Sequence, residues 1–317
     1  MDNLTHTLTG LALSRAGLSR WYARPALLLV LAANIPDIDF VTIVSGPFSY
    51  FQYHRGVTHA VAMLPVMALL PVLFVCAVSR TMRGWKAAYV LSIIGVTSHL
   101  LLDWTNTYGV RFFLPFSSEW FHLDLNGLTD LWIWGVLSLA FLGPLLGKLV
   151  SSEIGATPST GRGLALFALA VIPAYDFGRY LIHQRALDTL NSRVYQGGPP
   201  TRVAAFPSSA ADPFQWAGWV ERPDFVMRFS MNLLAEFDPT NGAVIHKPPP
   251  GPVLDAASQA FIVRRFLEFA QYPLWQVTPT ADPEGAHRVD VRDWRFPFTA
   301  GATVDSSNRV LSSSFHY

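Results

Sequence analysis

The chain has 317 residues, of which 51% are hydrophobic and only 14% are charged, and its mean hydropathy is +0.29. Soluble globular proteins carry about 25% charged residues, so much of this chain avoids charge as membrane segments do. The net charge of +1 gives no support for a nucleic-acid-binding surface, and no nucleic acid partner is expected. The single cysteine, Cys76, provides neither a disulfide framework nor a cysteine-based zinc site.

Long apolar runs dominate residues 1 to about 184. A transmembrane helix needs about 20 mostly apolar residues, and the runs at 60–78, 87–104, 131–150 and 164–182 satisfy this. Two earlier runs, 4–18 and 25–35, are shorter and are expected to form a packed helical hairpin or half-embedded helices. The last long run contains Asp176 and Arg179, which we expect to pair with each other. The sequence predicts six crossings if both short runs cross.

From about residue 190 the composition changes to proline-rich turns and short patterned segments. RVDVRDWRFPF (288–298) alternates as a half-buried strand does, and two strand-like segments flank the turn sequence DPTNG, which predicts a β-hairpin. Residues 254–271 have the apolar spacing of an amphipathic helix. We therefore expect a mainly α protein, with a transmembrane helical bundle over 1–184 and a soluble α+β domain over 190–317.

Lysine and arginine in the short loops predict the orientation. The loops after the first, third and fifth runs are basic, whereas loops 36–59 and 106–130 are poorer in basic residues. The positive-inside rule therefore places the three basic loops in the cytoplasm. The N-terminus, the other loops and the C-terminal domain are expected on the outer side. No cleavable signal peptide is evident at the start of the chain.

Histidines and aspartates from four separate segments are predicted to lie near that outer face. They are His6, Asp37, Asp39, His54, His59, His99 and Asp103. His99 and Asp103 are four residues apart and share one helical face. Such residues inside an apolar span are usually functional, although hydrogen-bonded packing is the alternative. Because Pro36 is expected to end the preceding helix, the two aspartates that follow it should lie on a loop or at a new helix start, where N-capping is the alternative role.

His54 is expected on a loop and His59 at a helix start. Histidine and aspartate without cysteine suit zinc, manganese or iron, and zinc is the default for hydrolysis. Arg55 offers a bidentate fork to a substrate phosphate, unless it only anchors the chain at the lipid headgroups. Asp39 is either a ligand or a support behind the ligands. The catalytic base is either Asp39 or a water that bridges the metal ions. His59 is a ligand or a support.

Four motifs carry a family resemblance: MDxxTHxxxG, PDID, HRGxTH and SHLLLDxxNTYG. They resemble a bacterial inner-membrane metal-dependent hydrolase family with a LexA-regulated member. AFPSSAADPFQWAGWVE and FAQYPLW in the C-terminal half resemble its longer members. The family is distantly similar to zinc-dependent phospholipase C and to the zinc nucleases of single-stranded nucleic acid, and phosphoester chemistry is implied by that distant link. The ligands implied by the resemblance are His6, Asp37, His54, His99 and Asp103.

In those soluble enzymes the aspartate that matches Asp103 bridges two ions. A third zinc is held there by an N-terminal tryptophan amine and a later His-x-x-x-Glu pair. This chain starts with Met1 and has no such pair after Asp103, so the resemblance implies one or two ions. The resemblance also implies the bacterial inner membrane, so the outer side predicted from the basic loops for the site and the C-terminal domain is the periplasm.

The sequence thus favours a membrane-bound, phosphoesterase-like hydrolase that uses one or two zinc ions, or manganese. Asp39, Arg55 and His59 are its candidate catalytic residues. Its expected partners are membrane lipid and a lipid-linked or membrane-proximal substrate, and no protein partner of the C-terminal domain is identified. Two alternatives stay open: a non-enzymatic membrane scaffold with a structural metal site, and a metal-handling transporter. A transporter would carry ionisable residues deep in several spans, and only Asp176 and Arg179 fit that description.

Overall fold

Helices form the first part of the chain, and two antiparallel sheets dominate the second. The computed structural model describes residues 1–20, 22–154, 161–281 and 284–316. The helices are α1 (Asn3–Arg15), α2 (Pro25–Asn34), α3 (Pro47–Tyr53), α4 (Leu64–Ser79), α5 (Trp85–Thr105), α6 (Leu131–Ile154), α7 (Arg162–Asn191), α8 (Pro252–Gln259) and α9 (Phe261–Leu267). Short 3-10 helices lie at Leu18–Arg20, Ile35–Ser45, Val57–His59 and Val61–Met63. The strands are β1 (Arg202–Pro207), β2 (Gln215–Glu221), β3 (Phe225–Asn232), β4 (Ala243–His246), β5 (Pro273–Pro279), β6 (His287–Asp293), β7 (Thr299–Val304) and β8 (Val310–His316).

Five helical segments of the described chain are long and apolar enough to cross a membrane. They are Pro25–Ser45, Val61–Ser79, Trp85–Thr105, Leu131–Leu149 and Arg162–Asn191. A multi-pass helical N-terminal region is therefore confirmed, with five candidate spans among the described residues; the six crossings predicted for the case that both short runs cross are not reached. Helix α1 has 13 residues, so at about 1.5 Å per residue it is shorter than a hydrocarbon core of about 30 Å. The second run is longer than expected because α2 continues directly into the 3-10 helix Ile35–Ser45.

Small residues allow α1, α2 and α5 to pack closely. A Cβ atom at Gly10 of α1 would lie 2.6 Å from the backbone oxygen of Leu29 in α2. A Cβ atom at Gly95 of α5 would lie 2.6 Å from the Cβ atom of Ala32, also in α2. Glycine at such contacts is typical of helix packing in membranes, where close backbone approach replaces the hydrophobic effect. The same packing brings together the helices that carry His6 and His99.

The C-terminal half contains two four-stranded sheets with strand orders β1-β2-β3-β4 and β5-β6-β7-β8, and all neighbouring strands are antiparallel. The first sheet packs through Trp216 and Val220 on the end of α7, at Ala186 and Leu190. The second sheet packs on α8 and α9 and shares a core with Phe51 and Tyr108 of the membrane half. This architecture is consistent with the predicted α+β domain.

Three local predictions for this domain need correction. The predicted helix 254–271 is broken at Ala260, whose extended backbone separates α8 from α9. Strands β3 and β4 pair as expected, but residues 233–242 connect them, so the DPTNG sequence forms only part of a longer loop. The predicted strand 288–298 ends at Asp293, and residues 294–298 leave the sheet.

The prediction that Asp176 and Arg179 pair is wrong. Asp176 accepts a hydrogen bond from Asn126 Nδ2 at 2.7 Å. Arg179 Nε donates to the Leu125 carbonyl at 2.8 Å, and its Nη1 donates to the Pro213 carbonyl. Arg179 therefore provides hydrogen bonds to two backbone carbonyls. One of them, that of Pro213, lies just before β2 begins. Both side chains have a structural partner, and neither supports a transporter.

Candidate metal centre

The structure brings the predicted ligands together at one end of the membrane helices. Helix α1 supplies His6, the 3-10 helix after α2 supplies Asp37 and Asp39, the chain between α3 and α4 supplies His54 and His59, and α5 supplies His99 and Asp103. Pro36 does end α2, as predicted, but it occupies the first turn of the 3-10 helix that follows. Proline is tolerated there because its missing N–H would have no helical partner.

Four of these residues form what we call the inner group: Asp37, His59, His99 and Asp103. One donor atom from each lies within 4.8 Å of the others. Nε2 of His59 lies 3.1 Å from Nε2 of His99 and 3.4 Å from Oδ2 of Asp103. The side chains of His59, His99 and Asp103 are 0% exposed, whereas Asp37 is 15% exposed. The inner group is thus a closed cluster with a single open side at Asp37.

The ring orientation of His99 shows that this residue presents an electron-pair donor to the cluster. Nδ1 of His99 lies 2.7 Å from the Ala33 carbonyl, which can only accept, so Nδ1 carries the proton and Nε2 presents a lone pair. That lone pair faces Asp103 Oδ2 at 3.3 Å and Asp37 Oδ1 at 3.6 Å. Burial holds the pKa of His59 well below its usual value, so its ring is neutral. Neutral imidazoles facing carboxylates are the arrangement that a bound cation stabilises.

His6 adds a further donor beside the inner group. Its ring stacks on His99 with the centroids 3.7 Å apart, and its Nε2 lies 3.3 Å from Oδ1 of Asp103. The side chain is 0% exposed, and neither ring nitrogen forms a hydrogen bond with any described residue. A buried polar group without a partner costs about 1–3 kcal/mol. A metal ion would satisfy the nitrogen that faces Asp103, so these residues fit a bound divalent ion.

Asp37, Asp39 and His54 form a second cluster, which we call the outer group, again with donor atoms within 4.8 Å of one another. Oδ1 of Asp39 lies 3.0 Å from Nδ1 of His54. Its Oδ2 accepts from the backbone N–H of Arg55 at 2.9 Å and from the Thr58 hydroxyl at 3.1 Å. Asp37 belongs to both groups, whereas the resemblance assigned the shared position to Asp103. His54, like Asp37, is 15% exposed.

Arg55 is buried between the two groups and is more than a headgroup anchor. Its guanidinium donates from Nη2 to Asp103 Oδ1 at 2.9 Å and from Nη1 to Asn106 Oδ1 at 3.0 Å. The group lies over the ring of Tyr108, 5.0 Å from its centroid. Burial lowers the pKa of Arg55 and the charge of Asp37 opposes this shift, but an arginine remains protonated. Its Nε has no hydrogen-bond partner among the described residues.

Sequence reasoning missed one contributor to the cluster and left another undecided. The α-amino group of Met1 is buried and donates to Asp103 Oδ1, a contact that no spacing rule reveals. The position of Asn106 just past Asp103 leaves two roles open from the sequence, contact with substrate or capping of a turn. Its Oδ1 accepts from the backbone N–H of Tyr108 at 2.8 Å and of Gly109 at 3.2 Å. Asn106 therefore caps the turn after α5 and at the same time holds Arg55.

A cavity of about 870 Å³ gives access to the outer group, because Asp37 and His54 line it, and Arg55 lines it beside them. This volume lies within the range of small-molecule binding sites, roughly 300–1,000 Å³. Most of the other lining side chains are apolar. They include Leu31, Ile35, Ile38 and Phe40 of the second run, and Phe296 and Phe298 of the C-terminal half. The candidate site therefore combines a polar metal-binding region with an apolar wall.

Comparisons with known proteins agree with the inner-membrane part of these predictions. The family described as "YdjM inner membrane protein" matches residues 1–186. The protein described as "Uncharacterized protein YfhP" of Bacillus subtilis (strain 168) is 23% identical over 326 residues, which cover 99% of this chain and 94% of that relative. No solved structure matches the chain. Hydrolysis and LexA regulation, which the motif resemblance also implied, stay predictions.

Proposed function

The chain belongs to the YdjM inner membrane protein family, and we propose that this multi-pass member is a metal-dependent hydrolase. Its proposed substrate is a phosphoester in a lipid or another membrane-proximal molecule. The observation that carries this proposal is the set of buried, mutually facing donors in the inner group, extended by His6, whose ring nitrogens form no hydrogen bond with any described residue. Such a set is costly unless a cation binds it, and it lies beside a cavity large enough for a substrate.

The donor chemistry favours zinc, with manganese as the alternative, because all candidate ligands are imidazoles and carboxylates. The inner group with His6 would hold one ion, and the outer group would hold a second. A bound ion of this kind lowers the pKa of a water ligand and polarises a phosphoryl oxygen. The closed inner group and the accessible outer group suggest different affinities, and the inner group would bind its ion more tightly.

The protein's own side chains would divide the remaining tasks. Arg55, which lines the cavity, would hold the substrate anion with its guanidinium. Asp39 is our proposed base, acting through His54, since its Oδ1 lies 3.0 Å from the imidazole and His54 lines the cavity. An aspartate behind a histidine fixes the tautomer and stabilises the protonated ring. This base pair operates in the form with one ion; with two ions, His54 becomes a ligand.

We further propose that the cluster and the C-terminal domain lie on the periplasmic side. Helix α5 supports this, because it begins just after the basic residues Arg80 and Arg83 and carries Asp103 at its other end. Its 21 residues span about 31 Å, close to the thickness of the hydrocarbon core. The core that Phe51 and Tyr108 share with the second sheet supports a position of the C-terminal domain on the same side as the cluster.

A second candidate function is a structural metal site that fastens the helices without catalysis. The complete burial of His59, His99 and Asp103 favours it, because structural sites are closed whereas catalytic sites keep an open position. The two candidates differ in what metal removal does. Loss of a structural ion should unfold the membrane half, whereas loss of a catalytic ion should abolish turnover in a folded protein.

The proposal is tested by hydrolysis in nanodiscs after loading with zinc or manganese. Release of p-nitrophenol from p-nitrophenyl phosphate and bis(p-nitrophenyl) phosphate, and of phosphate from phosphatidic acid, would be measured for the wild type, His99→Ala and Asp103→Ala. His183→Ala is the matched control, because His183 is also a buried histidine of a candidate span, but its ring bonds to the Ala205 carbonyl and stacks on Trp216, outside the cluster. We expect metal-dependent activity that both cluster variants abolish and the control retains. Activity that persists in both cluster variants would disprove the assignment.

A further inference from the structure

The C-terminal domain reaches into the candidate site through a short segment after β6. Strand β6 ends at Asp293, and the chain then crosses to β7, which begins at Thr299. Two side chains from this crossing, Phe296 and Phe298, line the same cavity as Asp37 and His54. A domain more than a hundred residues away in sequence therefore supplies part of the wall of the metal-site cavity.

Buried polar contacts fix this segment in place. Arg295 Nε and Nη2 donate to the two carboxylate oxygens of Asp293 at 2.9 and 3.0 Å, and the two side chains are 1% and 0% exposed. Arg295 Nη1 also donates to the Thr107 carbonyl at 2.9 Å, in the turn after α5. The ring of Phe296 packs on Tyr108, with the centroids 5.2 Å apart. The aromatic wall is thus attached to the turn that follows Asp103.

The candidate span Pro25–Ser45 supplies another apolar part of the cavity wall. Leu31, Ile35, Ile38 and Phe40 all belong to the candidate span Pro25–Ser45. Ile38 is 48% exposed and Phe40 is 59% exposed, so these side chains lie both in the cavity and on the outer surface of the span. These apolar side chains therefore join the outer surface of the candidate span to the cavity.

We propose that Phe296 and Phe298 are specificity-determining residues that bind the acyl chain of a membrane lipid whose phosphate reaches the outer group. The occupant is an amphiphile because the cavity combines Asp37, His54 and Arg55 with an apolar lining that continues into a candidate membrane span. The inference rests on the proposed function only for the hydrolysis of the lipid phosphate. The binding of the acyl chain does not depend on it. The inference assigns the C-terminal domain a direct part in substrate choice, favouring long acyl chains over soluble phosphoesters.

The test uses the full-length, metal-loaded protein in nanodiscs and phosphatidic acid with a photoactivatable diazirine in one acyl chain. Cross-linked positions would be mapped by mass spectrometry for the wild type and for Phe296→Ala/Phe298→Ala. Phe315→Ala is the control, because Phe315 packs in the same aromatic cluster but does not line the cavity. Competition with unlabelled dioleoyl and dibutyryl phosphatidic acid would report the preference for chain length, and metal content would report the integrity of the centre.

We expect cross-links at 38–40 and 296–298 in the wild type. The double variant should bind the dioleoyl lipid about 10-fold or more weakly, because two aromatic side chains no longer contact the chain. Metal content and dibutyryl binding should not change, and Phe315→Ala should behave as the wild type does. Cross-links confined to the outer surfaces of α6 and α7, or equal dioleoyl binding by all three proteins, would overturn the inference. Cross-linking without any hydrolysis would refute the proposed function alone, whereas hydrolysis of both lipids at rates unchanged by the double variant would refute this inference alone.

Discussion

Replacing Arg295 by methionine tests whether the C-terminal domain is held to the site by a buried ion pair. The change keeps most of the apolar stem but removes both bonds to Asp293 and the bond to the Thr107 carbonyl. Breaking a buried ion pair from one side typically costs about 3–5 kcal/mol. Asp293 still accepts from the backbone N–H groups of Gln271, Tyr272 and residue 295. We therefore expect the lower end, about 3 kcal/mol of local unfolding free energy.

The assay is pulse proteolysis of the full-length protein in detergent along a urea series, scored by cleavage within residues 202–316. Arg309→Met is the matched control, because Arg309 also pairs with an aspartate, Asp305, but its own side chain is 78% exposed. Exposed pairs contribute little to stability, so the control should unfold at the wild-type urea concentration. If the two variants shift the transition equally, the buried contact with the turn after α5 does not hold the domain, and the reasoning fails.

Three further predictions concern packing and metal retention. Gly95→Ala should lower stability by about 1–3 kcal/mol, because its Cβ atom would lie 2.6 Å from that of Ala32. Gly147→Ala is the control and should leave stability unchanged, because its Cβ atom would meet no atom of the described residues within 4 Å. Equal thermal midpoints of the two variants in detergent would contradict this. Asn106→Ala removes the oxygen that positions the buried arginine, so metal affinity measured by chelator competition should fall about 10–100-fold; unchanged affinity would exclude that role. His54→Ala should lose one of two metal equivalents by elemental mass spectrometry, because it removes a ligand of the outer group; an unchanged metal count would contradict a second ion there.

Local patterns could predict much of the membrane half. Apolar runs of sufficient length identified the long spans, and the i, i+4 spacing of His99 and Asp103 placed both side chains on one face of α5, where Nε2 and Oδ2 are 3.3 Å apart. Both features depend only on the geometry of a single helix. The clustering of candidate ligands at one predicted depth also indicated that they would meet, and the structure brings them together.

Long-range packing determines what the sequence could not predict. Pro36 was read correctly as the end of α2, but the 3-10 helix that follows carries Asp37 into both ligand groups. Arg55 bonds to Asp103, 48 residues away in sequence. Phe296 lines the cavity only because the second sheet packs against the membrane half. None of these contacts follows from periodicity or residue type, because each joins elements whose relative position is set by tertiary packing.

The predicted pairing of Asp176 with Arg179 failed for a related reason. Spacing on one helix made the two side chains natural partners, but Asn126 and the carbonyls of Leu125 and Pro213 compete for them. Those competitors come from a loop and from the C-terminal domain. Local charge spacing therefore indicates which pairs are accessible, whereas the tertiary fold determines which partner is used.

The most direct test of the central claim is a metal count on the purified, detergent-solubilised protein. Elemental mass spectrometry would compare the wild type with His99→Ala/Asp103→Ala, and circular dichroism would confirm that both remain helical. We predict one or two equivalents of zinc or manganese in the wild type, lost in the folded double variant. A wild type that binds no metal even after reloading would contradict the account, since the histidines and aspartates would then serve only as polar packing.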